Sequence, residues 1–467
     1  MLRLLRNPSP QALRITPVLE GGPAHPSGFA GRAGEVLELG PRARLVGAGT
    51  AASAPEWERV GAAAIAAAGE APRVALDARG LRPSAALALG AGAVLRAWRF
   101  EALKAKRARG PRRIELLLDD PAAAKPGWAR QRAALAGATL ARDLVAEPAN
   151  RLGPRAFARR LAALEAEGLE VEVLKPRELR RLGAGALLAV GTAAAEGPRL
   201  VLLRWQGRFA APPVAFVGKG LCFDTGGLSI KPAEGMAKMR ADMAGAAACA
   251  GAMLALARRR SPCPVVAVLA IAENATGARS YRPGDVLRTL SGRTVEVVDT
   301  DAEGRLVLAD ALHLAATRFR PQALIDLATL TGSVVTALGH HRAGLFGNDA
   351  ALGAAITAAG EAVGERLWPL PIGTRHREDL QSDIADLRQC VPAGSGAWGG
   401  RLLPDASHAA AFLSEFVGRL PWAHLDIAGV ETAEGEDGLA APGQPTGFGA
   451  RLLDALVERH FEDPHRV

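Results

Sequence analysis

Three carboxylates cluster in one short stretch of the chain. Asp299, Asp301 and Glu303 follow the apolar run 294–298, and a segment with a helical pattern, 306–312, comes directly after them. At the carboxyl end of a strand, two carboxylates separated by one residue can project toward a common point. Carboxylate oxygens are the ligands that hard divalent cations prefer. The stretch therefore indicates a metal site; the alternative is a helix N-terminus at which the same acids meet the helix dipole favourably.

The two residues after Glu303 add to this interpretation. Gly304 is expected to let the backbone turn sharply beside the acids, because glycine adopts conformations that other residues avoid. Arg305 has no obvious carboxylate to neutralise on a helix surface. We therefore expect its guanidinium to be free to hold an anion.

A second group of polar residues follows the predicted strand 214–218. Lys219, Asp224 and Lys231 surround a double glycine. A phosphate-binding loop is one alternative, but its G-x-x-x-x-G-K-[ST] spacing is missing, and the lysine precedes the glycines. The glycines instead predict that the backbone passes close to a ligand or makes a tight turn.

A further carboxylate, Asp242, lies in a segment that we predict to be one helix over 235–258. It falls next to an apolar stripe of methionines that includes Met239. A carboxylate in such surroundings is costly unless it is paired or bound to a metal. The alternative is a surface ion pair with Lys238, four residues earlier on the same helix.

The length of 467 residues exceeds one ordinary core, so two domains are expected. Residues 1–145 predict a smaller N-terminal α/β domain that ends in a connecting helix over 128–145. Residues 146–467 predict a C-terminal catalytic domain, an α/β sandwich with a mixed sheet covered by helices. The polar groups described above follow strands of that sheet, where functional residues of α/β proteins gather.

Composition and charge limit the possible partners and cellular location of the protein. The net charge is +9, and the densest basic stretch runs from Arg96 to Arg113 with Trp98 and Phe100 among its residues. We interpret this stretch as the solvated face of a helix that leads into a strand, with a nucleic-acid surface as the alternative. The four cysteines share no metal-like or redox-like spacing, and no signal peptide or membrane-spanning run is evident. We expect a cytoplasmic protein without a membrane partner.

Several short motifs stand in a fixed order along the chain. They are Val217-Gly218-Lys219-Gly220, Phe223-Asp224-Thr225-Gly226-Gly227, Lys231-Pro232, Asp242-Met243 and Thr300-Asp301-Ala302-Glu303-Gly304-Arg305-Leu306. In this order and spacing they resemble the leucyl (cytosol) aminopeptidase family, over roughly residues 140 to 460. The resemblance implies a hydrolase, a dimetal aminopeptidase that removes N-terminal residues, preferably apolar ones, from peptides with a free N-terminus. It also implies a homohexamer.

The resemblance assigns roles residue by residue. The ligands of two divalent metal ions, Mn²⁺ or Zn²⁺, would be Lys219, Asp224, Asp242, Asp301 and Glu303. A water that bridges the metals would attack the peptide carbonyl. Lys231 would act as the electrophile that stabilises the oxyanion, and Arg305 would hold a bicarbonate that shuttles protons. The backbone of Leu330 and Gly332 would dock the peptide, and Met239 and Thr329 would line the pocket for its first side chain.

Two departures from the family pattern leave questions open. Asp299 stands where the family usually has asparagine. We expect its carboxylate to add a charge near the metals or the substrate amine, so that Asp299→Asn would stay active and shift the acidic limb of the pH–rate profile to lower pH; the alternative is that Asp299 does what asparagine does elsewhere. The segment 389–407, with glycines at 394, 396, 399 and 400, is longer than its family counterpart. Two other functions also remain as alternatives: a nucleic-acid-binding or scaffolding protein that keeps the fold, and a dimetal hydrolase that acts on something other than peptides.

Overall fold

The structure is a computed structural model that describes residues 2–21, 27–106, 109–392, 403–435 and 438–462. Within these ranges the protein is built on two large sheets and one small sheet covered by helices, which confirms the predicted α/β class. No helix in the described ranges is long and apolar enough to cross a bilayer.

The first part of the chain forms a six-stranded sheet. Its strands are β1 (Leu2–Leu5), β2 (Leu13–Leu19), β3 (Val36–Gly40), β4 (Ala43–Gly49), β5 (Arg73–Asp77) and β6 (Arg113–Leu117). They pair in the order β1-β6-β5-β2-β4-β3, and only β3 runs antiparallel to its neighbour. Helices α1 (Ala54–Ala67) and α2 (Pro83–Ala97) complete a separate apolar core with this sheet.

The remaining strands follow in chain order. They are β7 (Glu170–Leu174), β8 (Arg199–Trp205), β9 (Val214–Asp224), β10 (Val265–Asn274), β11 (Val286–Arg288), β12 (Thr294–Glu296), β13 (Ala323–Ala328), β14 (Ala343–Gly347), β15 (Leu367–Pro369), β16 (Leu387–Arg388) and β17 (Trp422–Asp426). Eight of them form a mixed sheet in the order β15-β14-β17-β13-β9-β10-β8-β7, and the small sheet is β11-β12-β16.

Eleven further α-helices are described. They are α3 (Lys125–Ala146), α4 (Pro154–Ala162), α5 (Pro176–Leu182), α6 (Gly185–Val190), α7 (Ala244–Arg259), α8 (Glu303–Leu314), α9 (Gly332–Leu338), α10 (Ala350–Val363), α11 (Thr374–Glu378), α12 (Asp405–Ser414) and α13 (Ala450–Leu456). Short 3₁₀ segments lie at Ala163–Glu167 and Met236–Ala241, and π-helical turns extend α8 and α13.

Both faces of the eight-stranded sheet are covered. In β9, Val214 and Phe216 belong to the core on one face, and Ala215 and Val217 belong to the core on the other. Side chains alternate between the two faces along a strand, so an unbroken apolar run such as 214–217 indicates that both faces of the strand are buried. The first polar side chain of this strand, Lys219, comes after this run, and the strand ends at Asp224.

Several predicted elements differ from the structure. The strand predicted over 214–218 continues to Asp224, and the helix predicted over 235–258 is interrupted between Ala241 and Ala244. The basic stretch is not a helix, because α2 ends at Ala97 and 98–112 has no regular structure among its described residues. The connecting helix is present as α3, and the division of the chain at residue 145 stays a prediction.

Helices α3 and α7 cross with their backbones in contact. A Cβ on Gly137 would lie 2.3 Å from the carbonyl oxygen of Gly251, and a Cβ on Gly251 would lie 2.4 Å from the carbonyl oxygen of Gly137. No real Cβ tolerates such distances, and neither backbone can rotate away as a side chain could. The two glycines therefore set how closely α3 packs on the helix that covers the large sheet.

This crossing makes Gly251→Ala destabilising, although alanine is the better helix former. We expect the substitution to lower the free energy of unfolding by about 1 to 3 kcal/mol, because overpacking outweighs the gain of about 1 kcal/mol in helix propensity. Gly353 in α10 is the matched control, since a Cβ there meets no atom within 4 Å. Gly353→Ala should be neutral or stabilising. If the two variants had equal midpoints of chemical denaturation, the backbone contact between α3 and α7 at Gly251 would be contradicted.

Candidate active site

Two neighbouring parallel strands end in polar residues at the same edge of the large sheet. Strand β9 carries Lys219 and ends at Asp224, and β10 ends at Asn274, which lies in register with Asp224. The Asn274 amide donates to Asp224 Oδ1 at 2.7 Å and to the carbonyl of Thr300 at 3.0 Å. Asn274 thereby ties the strand end to the loop that carries Asp301. We did not identify Asn274 from the sequence.

Lys219 lies at the centre of the buried carboxylates. Its Nζ is 2.8 Å from Asp242 Oδ1 and 2.9 Å from Glu303 Oε1, and it donates to the carbonyl of Thr329 at 2.9 Å. The Lys219 side chain is only 3% exposed. Burial disfavours the ammonium, but the charges of Asp242, Glu303 and Asp224 outweigh burial and raise the pKa of Lys219 above its ordinary value.

Asp242 owes its position to the interruption of the predicted helix. It lies between the 3₁₀ turn at Met236–Ala241 and the start of α7, with its side chain buried. The hydroxyl of Thr329 donates to Asp242 Oδ1 at 2.7 Å. The surface pair with Lys238 is therefore not formed, because Asp242 faces Lys219 in the interior.

Lys231 joins the other two carboxylates. Its Nζ is 2.9 Å from Asp224 Oδ2 and also contacts Asp301. Burial raises the pKa of Asp301 to about 7, the charges of Glu303 and Asp224 act in the same direction, and Lys231 opposes them. The loop between Asp224 and Lys231 is tight: its two glycines have positive φ, and the backbone N–H of Lys231 donates to the carbonyl of Thr225.

The carboxylates outnumber the ammonium groups. Within the described ranges, the ion pairs of Asp224, Asp242, Asp301 and Glu303 are with two ammonium groups, those of Lys219 and Lys231. Ligand atoms of three of these acids lie within 4.8 Å of one another. Asp242 Oδ2 and Glu303 Oε2 are buried and have no hydrogen-bond partner among the described residues. Buried unpartnered carboxylate oxygens with excess negative charge fit the binding of divalent cations.

Gly304 has a different role from the sharp turn that we expected. It lies in the first turn of α8 and is not among the described glycines with positive φ. A Cβ at this position would lie 2.7 Å from Lys219 Cε and 2.8 Å from Lys219 Nζ. Glycine is required because a larger residue would push Lys219 away from Glu303.

The loop before α8 is held by a buried glutamine. Gln389 accepts the N–H of Val298 at 2.7 Å, and its amide donates to the carbonyls of Asp299 and Ala302 at 2.8 and 3.1 Å. Asp299 in turn accepts the N–H of Asp301 at 2.9 Å through Oδ1. The side chain of Asp299 thus organises the backbone of the loop. We did not identify Gln389, because it lies about ninety residues away in the sequence.

The predicted peptide-binding residues line the same cavity as the charged cluster. This cavity has a volume of about 430 Å³, and its walls include Met239, Thr329, Leu330 and Gly332. Asp426, at the end of β17, holds the turn: it accepts the N–H of Leu330 at 3.0 Å and the hydroxyl of Thr331 at 2.7 Å.

Among the described residues of the cavity wall, three titratable side chains escaped our prediction, those of His340, Glu431 and Glu434. Burial raises the pKa of Glu431. The cavity wall is therefore not purely apolar.

Arg305 is not free, contrary to our expectation. Its side chain is buried, Nη1 donates to the carbonyl of Gln389 at 3.0 Å, and Nη2 donates to Asp405 Oδ1 at 2.8 Å. It lies in the first turn of α8 but does not line the 430 Å³ cavity. No local pattern indicated this pair, because Asp405 lies within the long segment 389–407, 100 residues after Arg305. The glycines at 394, 396, 399 and 400 of that segment lie outside the described residues.

Known proteins resemble this chain over most of its length. The catalytic-domain profile of the cytosol aminopeptidase family matches residues 139–454. A "Probable cytosol aminopeptidase" of Chelativorans sp. (strain BNC1) is 44% identical over 434 residues, which are 90% of this chain and 86% of that protein. Its counterpart in Brucella anthropi is 42% identical over 457 residues, 93% of this chain and 90% of that protein. The structure titled "Bottromycin maturation enzyme BotP in complex with Mn" superposes with a TM-score of 0.87 at 34% identity, covering 97% of this chain and 100% of that one.

The hydrogen bond of Asp299 predicts a mild effect for Asp299→Asn. The asparagine Oδ1 can still accept the N–H of Asp301, so we expect unchanged metal affinity and an unchanged pH–rate profile. Asp299→Ala removes the acceptor, which costs about 1 kcal/mol and should weaken metal binding. Metal titration of the stripped protein measures the difference.

Asp386→Ala is the control for Asp299→Ala. Asp386 likewise accepts a backbone N–H, that of Thr294, in the small sheet. Its loss should leave metal affinity unchanged. If the acidic limb of the pH–rate profile shifted to lower pH in Asp299→Asn, the result would instead show that the negative charge of Asp299 acts on the metals or the substrate.

Proposed function

Since this chain belongs to the cytosol aminopeptidase family of metal-dependent exopeptidases, we propose that it removes N-terminal residues, preferably apolar ones, from peptides. The observation that carries the proposal is the buried excess of carboxylates over ammonium groups at one end of the 430 Å³ cavity. A peptide N-terminus fits beside such a cluster, because the amine and the reacting carbonyl can both reach it.

Five residues would hold two divalent ions: Lys219, Asp224, Asp242, Asp301 and Glu303. The unpartnered oxygens of Asp242 and Glu303 support this set. Four carboxylates and one amine, without a thiol, favour Mn²⁺ or Zn²⁺ over softer metals. When bound, such ions supply Lewis acidity, which polarises a carbonyl and lowers the pKa of a water.

Lys219 would change its protonation state with the metals. As the counter-charge of Asp242 and Glu303 it is an ammonium, which has no lone pair to offer. A metal ligand must be deprotonated, so ion binding at this site releases the proton of Lys219. The space beside Gly304 keeps the amine between the two carboxylates in either state.

Lys231 would serve the transition state. Its charge is supported by Asp224 and Asp301, and its side chain is 21% exposed at the cavity. An ammonium fixed in this way donates to the oxygen of the scissile carbonyl as negative charge develops there. Because the interaction strengthens with that charge, Lys231 accelerates the reaction more than it tightens substrate binding.

The cavity wall would orient the peptide. The backbone of Leu330 and Gly332 would dock it, and Asp426 holds this turn in place. Met239 and Thr329 would line the pocket for the first side chain, next to the apolar wall residues Val335 and Ala428. This lining supports a preference for apolar N-terminal residues.

The guanidinium of Arg305 would hold an anion. The resemblance suggests bicarbonate, but Asp405 and the carbonyl of Gln389 already engage two of the nitrogens. A bicarbonate in the expected position would have to displace Asp405. We therefore assign no step of the reaction to bicarbonate.

The setting of the enzyme is part of the proposal. The name of its relatives supports a cytoplasmic location, and the family resemblance supports a homohexamer. The separate cores of the two large sheets support an N-terminal domain of residues 1–145 and a catalytic domain of residues 146–467. If the protein were instead a hydrolase of other substrates or a nucleic-acid-binding protein, it would not cleave the free-amine peptides in the assays below.

Removal of the metals should abolish hydrolysis. We expect a chelated and dialysed protein to be inactive on dipeptides and aminoacyl amides, and added Mn²⁺ or Zn²⁺ to restore activity. N-acetylated versions of the same peptides are the control and should not be cleaved, because their blocked amine cannot bind at the cluster. Turnover by protein that is free of metal, or equal rates on blocked and free peptides, would refute the proposal.

The two lysines should separate in their effects. Lys231→Ala should lower kcat by about 10² to 10³ with normal metal content, because an oxyanion donor acts in the transition state. Lys219→Ala should instead lose metal affinity. Lys238→Ala is the control, since Lys238 lines the same cavity but forms no ion pair with a described carboxylate. If Lys219→Ala and Lys231→Ala gave the same metal titration, their roles would be wrongly assigned.

A further inference from the structure

One carboxylate of the cavity wall takes no part in the chemistry described above. Glu431 lies just beyond the end of β17 and lines the 430 Å³ cavity. Its side chain is partly exposed, but Oε2 is buried and has no hydrogen-bond partner among the described residues. The two lysines of the charged cluster, Lys219 and Lys231, pair with other carboxylates. The acid of Glu431 is therefore left without a cation from that cluster.

The surroundings of Glu431 do not fully compensate its negative charge. Burial raises the pKa of Glu431, and the charge of Asp426 acts in the same direction; the backbone N–H groups of Glu431 and Gly429 and the charge of His340 lower it. Burial prevails, so the charged form of this carboxyl is less favourable than in water. A cation or hydrogen-bond donor that reaches such a carboxylate stabilises it. In this cavity the donor would come from the bound molecule.

Glu431 lies beside the turn that would dock the peptide. A Cβ on Gly429 would lie 3.0 Å from Val335 Cγ2, so the turn before Glu431 packs directly on α9. Helix α9 begins at Gly332, one of the two docking residues. Val335 and Ala428 add apolar surface to the wall that α9 and this turn form. Along this wall, apolar side chains and a carboxylate thus lie next to each other.

A basic side chain has the chemistry that matches this wall. Lysine and arginine carry an apolar stem of methylene groups and a cationic head, and such side chains bury the stem along apolar surface. The stem would pack on Val335 and Ala428, and the head would donate to the Glu431 carboxylate in a charge-assisted hydrogen bond. An acidic side chain would instead bring a second negative charge to Glu431.

We propose that Glu431 admits N-terminal lysine and arginine to the pocket for the first side chain, in addition to the apolar residues that its other walls favour. The inference rests on the proposed aminopeptidase function and names a further substrate class for that site. Glu431 is a specificity-determining residue in this role, because it contacts the variable side chain of the substrate and not the reacting bond.

The test compares lysyl and norleucyl amides, which differ only in the terminal ammonium of the side chain. In metal-loaded wild type, kcat/KM of the two substrates should agree within about tenfold, because pairing with Glu431 offsets the desolvation of the ammonium. Glu431→Gln keeps the size of the side chain and removes its charge. It should lower the ratio of lysyl to norleucyl kcat/KM by about 10- to 100-fold, since a hydrogen bond between charged groups is lost. A general loss of activity does not affect this ratio.

Two further variants make the result specific. Glu434→Gln is the matched control: Glu434 lines the same cavity but is exposed to solvent, which screens its charge. It should change the ratio by less than about threefold. Glu431→Met replaces the carboxylate with an apolar side chain of similar length. It should lower the ratio at least as much as Glu431→Gln, and it decides the test if Glu431→Gln fails to fold.

Two results would overturn the inference. One is a wild type that cleaves the lysyl amide more than about tenfold less efficiently than the norleucyl amide, since its pocket would then leave the ammonium unpaired. The other is an unchanged ratio in Glu431→Gln and Glu431→Met, which would show that Glu431 does not contact the first side chain. Absence of hydrolysis in metal-loaded wild type on all free-amine substrates is a different outcome, because it refutes the aminopeptidase function itself.

Discussion

The excess of buried negative charge at the end of β9 is the constraint on which the rest of the site depends. Four carboxylates surround two lysines; Lys219, Asp224, Asp242 and Glu303 are buried, whereas Lys231 and Asp301 are partly exposed. Like charges at such distances repel strongly in a protein interior, so every carboxylate that stays ionised needs a cation or a hydrogen bond. Lysines and hydrogen-bond donors of the fold compensate part of this negative charge, and bound dications would compensate the rest.

Side chains outside the charged cluster hold its members in place through hydrogen bonds. Asn274 fixes Asp224, Gln389 fixes the loop of Asp301, and Asp426 fixes the turn of Leu330 and Thr331. Each comes from a different strand end or from the segment next to one, and each bonds to backbone atoms of a loop that carries functional groups. Loops are intrinsically mobile, and ligand positions accurate enough for catalysis require such support.

The sequence indicated the charged residues that the structure brings together, but it did not indicate the side chains that hold them. Lys219, Asp224 and Lys231 follow the apolar run 214–218, Asp301 and Glu303 follow the run 294–298, and the roles expected of them came from the family resemblance. Asn274, Gln389 and Asp426 act on partners roughly fifty to a hundred residues away, so no spacing rule could indicate them.

Two other errors also have local causes. Asp242 was placed inside a helix because alanine and glycine continue the helical pattern across the break at 241–244. Arg305 was considered free because its partner, Asp405, lies 100 residues further along the chain.

The small residues of α7 explain why the break falls where it does. A Cβ on Gly245 would lie 2.0 Å from the carbonyl oxygen of Leu327, and a Cβ on Gly218 would lie 2.5 Å from Cα of Ala246. The first turn of α7 therefore lies directly on the backbones of β9 and β13, closer than any larger residue permits. The close packing fixes where the first turn of α7 lies, and the chain enters the helix just after Asp242, whose side chain contacts Lys219. The many alanines and glycines, together with an aromatic content of only 4%, are thus a condition for the charged site as well as for the core.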